Sequence, residues 1–130
     1  MYNKNMETIH RLIPIYTTRG DLGALLVYPY IFNRQGEWIG WVTNERKVYS
    51  VHGHFVGNLT NDPRIIRRVS DGFDQPRRES PPPPHPVNCP PSVPLAPMMP
   101  ELTQGMIDVL EEAPELMPSL DSGELREDMD

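Results

Sequence analysis

Two stretches of this chain repeat each other without a gap, and that repeat limits the fold more than any other feature of the sequence. Residues 31–43 (IFNRQGEWIGWVT) align with residues 48–60 (VYSVHGHFVGNLT) at a constant offset of 17. Gly36/Gly53, Gly40/Gly57 and Thr43/Thr60 are identical, and six further pairs are like for like: Ile31/Val48, Phe32/Tyr49, Asn33/Ser50, Trp38/Phe55, Ile39/Val56 and Val42/Leu59. Nine related positions in thirteen mark a structural repeat, whose units bury their apolar faces only against neighbours. A third copy lies upstream. Residues 15–27 align with 31–43 at an offset of 16, which sets Gly20 on Gly36, Asp21 on Glu37, Leu22 on Trp38, Ala24 on Gly40 and Leu26 on Val42.

Each copy reads as a β-hairpin: an aromatic and β-branched pair enters, a polar segment ending in Gly turns the chain, and an alternating strand carrying Leu22, Trp38 or Phe55 leaves. Gly20, Gly36 and Gly53 stand where a short hairpin loop needs positive φ, which a residue without Cβ adopts freely. Ala24, Gly40 and Gly57 share a position inside the outgoing strand. Ala serves there as well as Gly, so the demand is for small volume and close packing rather than for unusual φ. The links 28–30 and 44–47 are short enough to make successive hairpins neighbours. After a turn signal at residues 61–63, the run Ile65-Ile66-Arg67-Arg68 reads as the incoming strand of a fourth unit that lacks an outgoing partner. Residues 8–13 are expected to supply that partner, so that the two ends meet and complete a ring.

The run Ile13-Pro14-Ile15-Tyr16, the units Gly36-Glu37-Trp38-Ile39-Gly40-Trp41 and Val48-Tyr49-Ser50, and the ending Asp62-Pro63-Arg64-Ile65 resemble the bacterial four-fold β-flower domain. The resemblance implies a small all-β module of four pseudo-repeated hairpins with no assigned activity. It covers roughly residues 9–70, and it transfers no catalytic, cofactor-binding or metal residue. The chain departs from the pattern at Gly23, where the other copies have Ile39 and Val56, and at Asn58, where the second copy has Trp41.

Composition divides the chain. Of 16 prolines, 11 fall between Pro76 and Pro100. Residues 1–100 carry 11 basic and 8 acidic side chains, whereas residues 101–130 carry 1 basic and 10 acidic. The expected organisation is therefore a β-hairpin repeat domain over 9–70, a Pro-rich linker over 71–100, and an acidic tail over 101–130, mostly disordered. Pro81 to Pro84 impose an extended polyproline II course, and Arg78, Pro81 and Pro84 match a basic-x-x-Pro-x-x-Pro ligand. Within the tail, Leu102, Met106, Val109 and Leu110 recur at helical spacing, which predicts a short amphipathic helix over 102–112 suited to docking on a partner.

Alternation places Trp38, Gly40 and Val42 on one strand face and Ile39, Trp41 and Thr43 on the other, so both faces are apolar. Either both are covered within the domain, or Trp41 marks a contact between copies in a homo-oligomer.

Signals for chemistry are sparse. Cys89 is the only cysteine and lies in the Pro-rich segment, which leaves no disulfide framework and no thiolate zinc site. His52 and His54 flank Gly53, but nothing near them in sequence completes a ligand set. No Ser sits in a Gly-x-Ser-x-Gly elbow and no Gly-rich phosphate loop precedes a helix. No apolar export segment or membrane span is present, which points to the cytoplasm. Arg64, Arg67, Arg68, Arg77 and Arg78 interleave with Asp62, Asp71, Asp74 and Glu79, too nearly balanced for a phosphate-binding footprint. Arg67-Arg68-Val69-Ser70 and Arg77-Arg78-Glu79-Ser80 have the form of basic-directed kinase sites.

The expectation is a non-catalytic binding or assembly module with a protein partner and no cofactor. Two rival expectations remain: an enzyme or a metal- or small-ligand-binding protein built on the hairpin turns, and a weak nucleic-acid binder using the arginines of 64–78. Convergence of Arg19, Arg34 and His52 around one pocket would favour the first rival.

Overall fold

The computed structural model describes residues 11–72 and 75–120. Eight antiparallel strands form one curled sheet in strict sequence order: β1 (Ile13–Tyr16), β2 (Leu22–Val27), β3 (Tyr30–Phe32), β4 (Trp38–Val42), β5 (Lys47–Ser50), β6 (Phe55–Leu59), β7 (Ile65–Arg68) and β8 (Met106–Asp108). One helical turn, α1 (Val109–Glu112), and a 3-10 turn (Pro114–Leu116) follow β8.

The first three hairpins are built alike, for local reasons. Thr17, Asn33 and Ser50 each donate a backbone N–H to the carbonyl four residues on, at 2.8 Å in every copy. Their side chains take the turn's own amides: Thr17 Oγ1 accepts from Asp21 N, Asn33 Oδ1 from Gln35 N and Glu37 N, and Ser50 Oγ from His52 N and His54 N. Short polar side chains that fold back on the backbone in this way favour turns over continued strand. Gly20, Gly36 and Gly53 follow with φ of 96°, 86° and 87°, as expected. The register shifts once per hairpin, between Ile15/Tyr16, Ile31/Phe32 and Val48/Tyr49. The small-residue position is explained by packing: a Cβ on Gly40 would lie 2.5 Å from Tyr49 O, and one on Gly57 2.6 Å from Ile66 O.

The fourth hairpin corrects the expected closure. Residues 8–10 lie outside the described residues, and the partner of β7 is β8: Ile66, Arg67 and Arg68 face Asp108, Ile107 and Met106. An offset of 17 carried one step further sets Ile65, Ile66 and Arg67 over Val48, Tyr49 and Ser50. At the position where Thr17, Asn33 and Ser50 fold the turn, the fourth copy has Arg67, which cannot cap a turn in that way. The strand therefore runs on, and the chain returns only at Gly105, whose carbonyl accepts from Val69 N at 2.7 Å. The segment between them, expected to be a linker, is an insertion within the fourth hairpin.

The helix expected over 102–112 is accordingly replaced. Met106–Asp108 is strand, and only Val109–Glu112 is helical. The division of the chain after residue 70 is likewise not the way the sheet is built, because the end of the chain completes the core. Val109 is fully buried and Met117 nearly so, in a cluster with Ile15, Ala24, Leu26, Ile31, Ile39, Val42, Val48, Val56, Leu59 and Ile65. This cluster draws on every one of the first seven strands and lies on one face of the sheet. Leu25, Phe32, Trp38, Trp41, Tyr49 and Val51 form a second cluster on the other face, with Val87 and Leu120 packed against it.

The open edges of the sheet are tied by polar contacts rather than by a β1–β8 ladder. Asp108, 1% exposed, accepts from Thr18 N at 2.6 Å and Thr18 Oγ1 at 2.7 Å through Oδ2, joining the last strand to the first turn. Tyr16 N donates to Pro63 O at 3.0 Å, and Arg64 reaches Thr18 Oγ1 at 3.0 Å.

Candidate functional site

In a meander of hairpins, the turns gather at one end of the sheet and the links between hairpins at the other. The link end forms a cup of about 570 Å³. Its floor is apolar, from Ile13, Leu26, Val42 and Leu59, and its rim is polar, from Tyr28, Thr43, Asn44, Arg46 and Asn61. The repeat builds it: Leu26, Val42 and Leu59 occupy one repeat position, and Tyr28, Asn44 and Asn61 another. Tyr28 is 51% exposed and donates its hydroxyl to Asn44 Oδ1 across the rim.

Arg46 is the anomaly at this end. It has φ of 68°, and among the described residues it alone, apart from glycines, has positive φ. An L side chain held there costs on the order of 1 kcal/mol or more, and the surroundings must enforce it. They do so through three bonds to the next link: Leu59 N donates to Arg46 O, Arg46 Nε to Leu59 O, and Arg46 Nη2 to Thr60 O, all at 2.8 Å. The next link is itself braced by Asp62 and Arg64, paired at 2.8 Å. Burial raises the Asp62 pKa, but hydrogen bonds from Thr60 and Arg64 and the Arg64 charge outweigh it and hold the carboxyl below its ordinary value.

The turn end is covered. The Pro-rich segment forms no helix or strand between residues 75 and 103 and lies across the turns as a strap. Arg78 N donates to Gly53 O at 2.9 Å and Val87 N to Gly36 O at 3.0 Å. Ser80 Oγ donates to Val51 O at 2.7 Å, and Arg77 donates to His52 O through Nε and Nη2.

The three side chains that would have favoured an enzyme do not all converge. Arg19 and Arg34 share a shallow hollow of about 290 Å³ with Asp21 and Glu111, whereas His52 lines a separate hollow with His54 and Glu115. Among the described residues, no group of three or more His, Cys, Asp or Glu is arranged to hold a metal ion. The arginines of 64–78 are divided too. Arg64 and Arg67 are buried, at 4% and 3% exposure, with Arg67 donating to the carbonyls of Phe55, Val56, Asp71 and Gly72. Arg68, Arg77 and Arg78 are exposed.

The residues expected to contact a partner turn inward. Trp41 is 8% exposed, stacked on Tyr49 with centroids 4.8 Å apart, and Tyr49 is capped in turn by the Arg78 guanidinium at 5.4 Å. Val109 is in the core, Leu110 packs against it, Met106 pairs in the sheet, and Leu102 is half-buried. The cup was missed in the sequence, although a signal existed: Tyr28, Asn44 and Asn61 fall at one repeat position in the links. Among the described residues, no helix is long and apolar enough to cross a membrane. Comparison with protein-family models, with curated proteins and with solved structures returned no match, so the reading of these sites rests on their own geometry.

Proposed function

We propose that this chain is a non-catalytic binding module whose receptor is the cup at the link end, a member of the β-flower kind by its four successive hairpins. The observation that carries the reading is the cup's division into an apolar floor and a polar rim, at a volume within the range of about 300–1,000 Å³ usual for ligand sites. Among the described residues its lining holds no histidine, cysteine or carboxylate, and its titratable side chains are Tyr28 and Arg46. Such a lining suits an apolar group with hydrogen-bonding atoms at its outer end. A leucine-like side chain of a partner protein has that chemistry. The strained Arg46 supports the same reading, since residues held in costly backbone conformations cluster at functional sites.

Titration of the full chain with N-acetyl-leucinamide, followed through the methyl resonances of Leu26, Val42 and Leu59, tests this. Saturable shifts confined to these methyls, and abolished by Val42→Trp, are expected. Unmoved methyls at tens of millimolar probe, or shifts centred on the hairpin turns instead, would overturn the proposal.

A further inference from the structure

We propose that the outer face at the turn end is a receptor for polyproline chain, occupied here by the chain's own strap, and that its partner in trans is the strap of a second copy. This goes beyond the cup, none of whose lining residues is a contact of the strap named below.

Receptors for polyproline chain combine aromatic rings, which take proline rings and a flanking cation, with donors aimed at the ligand's carbonyls. Both are present. The Arg78 guanidinium lies 5.4 Å from the centroid of Tyr49. Tyr16 donates its hydroxyl to Pro94 O at 2.6 Å, and Tyr30 donates a longer bond of 3.4 Å to Pro82 O. Pro83, Pro84 and Pro86 line a hollow with Trp38. The basic-x-x-Pro-x-x-Pro run beginning at Arg78 is thus seated on aromatic residues of its own fold.

The match extends along the strap in register with the repeat. Arg78 meets Gly53, Val87 meets Gly36, and Ala96 is the nearest neighbour of Gly20, so each step of nine residues crosses one hairpin. The strap thus repeats its contact once per hairpin, with slack that the bend at Pro91 takes up between Val87 and Ala96. The glycines admit it closely: a Cβ would stand 1.8 Å from Val87 O at Gly36 and 2.0 Å from Arg78 O at Gly53. Because the receptor is already filled, a chain in trans must supply the same contacts at the same spacing, and a second copy does so by construction. Residues 76–98 extend on the order of 70 Å, enough to cross to a neighbouring molecule and return. Cis closure wins at dilution, where the tethered strap sees its site at a high effective concentration; exchange is expected where chains refold together at about millimolar concentration.

Cys89 is exposed, lies in the strap and is the only cysteine, so it places a spin label there alone. Full-length ¹⁵N-labelled Cys89→Ser protein is unfolded and refolded with spin-labelled protein of natural isotope content. The amides of Gly36, Glu37 and Trp38 in the ¹⁵N copy should lose intensity in proportion to the spin-labelled fraction. Spin-labelled Arg78→Pro/Val87→Pro protein, which stays extended but lacks the two donors, should restore full intensity, and Arg78→Pro alone should restore part of it. Undiminished amides after co-refolding, uniform broadening of all exposed amides, or broadening that persists with the double variant would each overturn the proposal.

Discussion

The first three hairpins and the fourth follow one plan and carry it out by different means. Each of the first three closes within five residues on a Thr, Asn or Ser side chain and a glycine at positive φ. The fourth has Arg67 at the capping position and closes only at Gly105, after the whole strap has been inserted. It also carries buried charge: Arg67, where the other copies have Thr17, Asn33 and Ser50, grips the carbonyls of Phe55 and Val56 on the third hairpin, and Asp108 grips Thr18 on the first. The lesson is that a repeat can be completed by a segment remote in sequence once polar contacts to both neighbours fix its place. The cost of closing the longer loop rises only with the logarithm of its length.

The largest effect is expected where the fourth hairpin is fastened to the first. Asp108→Ala would leave Thr18 N without its acceptor in a buried setting and should lower stability by about 3 kcal/mol. Asp21→Ala in the first turn, an exposed side chain, should change it by less than about 0.5 kcal/mol. Equilibrium denaturation of both variants checks the contrast, and equal midpoints would break it.

Next comes the small-residue position. Gly40→Val places atoms against Tyr49 O and against the Met117 methyl, where a Cβ would already be at 2.6 Å. It should cost about 2 kcal/mol. Gly23→Ala meets chiefly the end of the Leu110 side chain at 2.9 Å, which can move, and should cost less than about 1 kcal/mol. A melting temperature for Gly40→Val equal to that of wild type would show that the close approach does not constrain the fold.

The turn glycines separate backbone strain from the strap. Gly36 and Gly105 have nearly the same φ, 86° and 87°, but a Cβ at Gly105 meets nothing within 4 Å. Gly105→Ala should therefore cost about 1 kcal/mol of conformational strain. Gly36→Ala should cost about 1 kcal/mol more by displacing Val87, and should speed proteolysis within residues 80–98. Matching proteolysis rates for the two variants would mean that the strap is held elsewhere.

The smallest effect is a pH dependence. The Asp62 carboxyl is held below its ordinary 3.8 in the folded state. A depressed carboxyl contributes stability above its unfolded pKa, and that contribution disappears as pH falls through the folded pKa. Asp62→Asn should thus flatten the acid limb of the stability profile below about pH 4 while leaving the neutral region little changed. An unaltered acid limb would assign the dependence to other carboxylates.

Turns and the small-residue position were legible because each depends on residues close together in the chain, whereas simple alternation failed in β4: the register shift opposite Ile31/Phe32 puts Trp38 with Trp41 in one cluster and Ile39 with Val42 in the other. Thr17, Asn33 and Ser50 bond amides two to four residues away, and Gly36 needs only its own φ. The floor of the cup was half legible: the repeat already related Leu26, Val42 and Leu59, but not the space between them. Alternation set Trp41 beside Ile39, but the two fall in different clusters, and the Tyr49 ring on which Trp41 stacks is covered by the remote Arg78.

By itself, then, the sequence determined three hairpins and their order, because turn formation is a local property of the backbone. Only the tertiary structure decided which segment pairs with Ile65–Arg68, where the strap lies, and that Val109 and Met117 fill the core. Many extended or apolar segments satisfy an open strand edge equally well in sequence terms. Contacts such as those from Asp108 to Thr18, across most of the chain, select one of them, and no local pattern records such a choice.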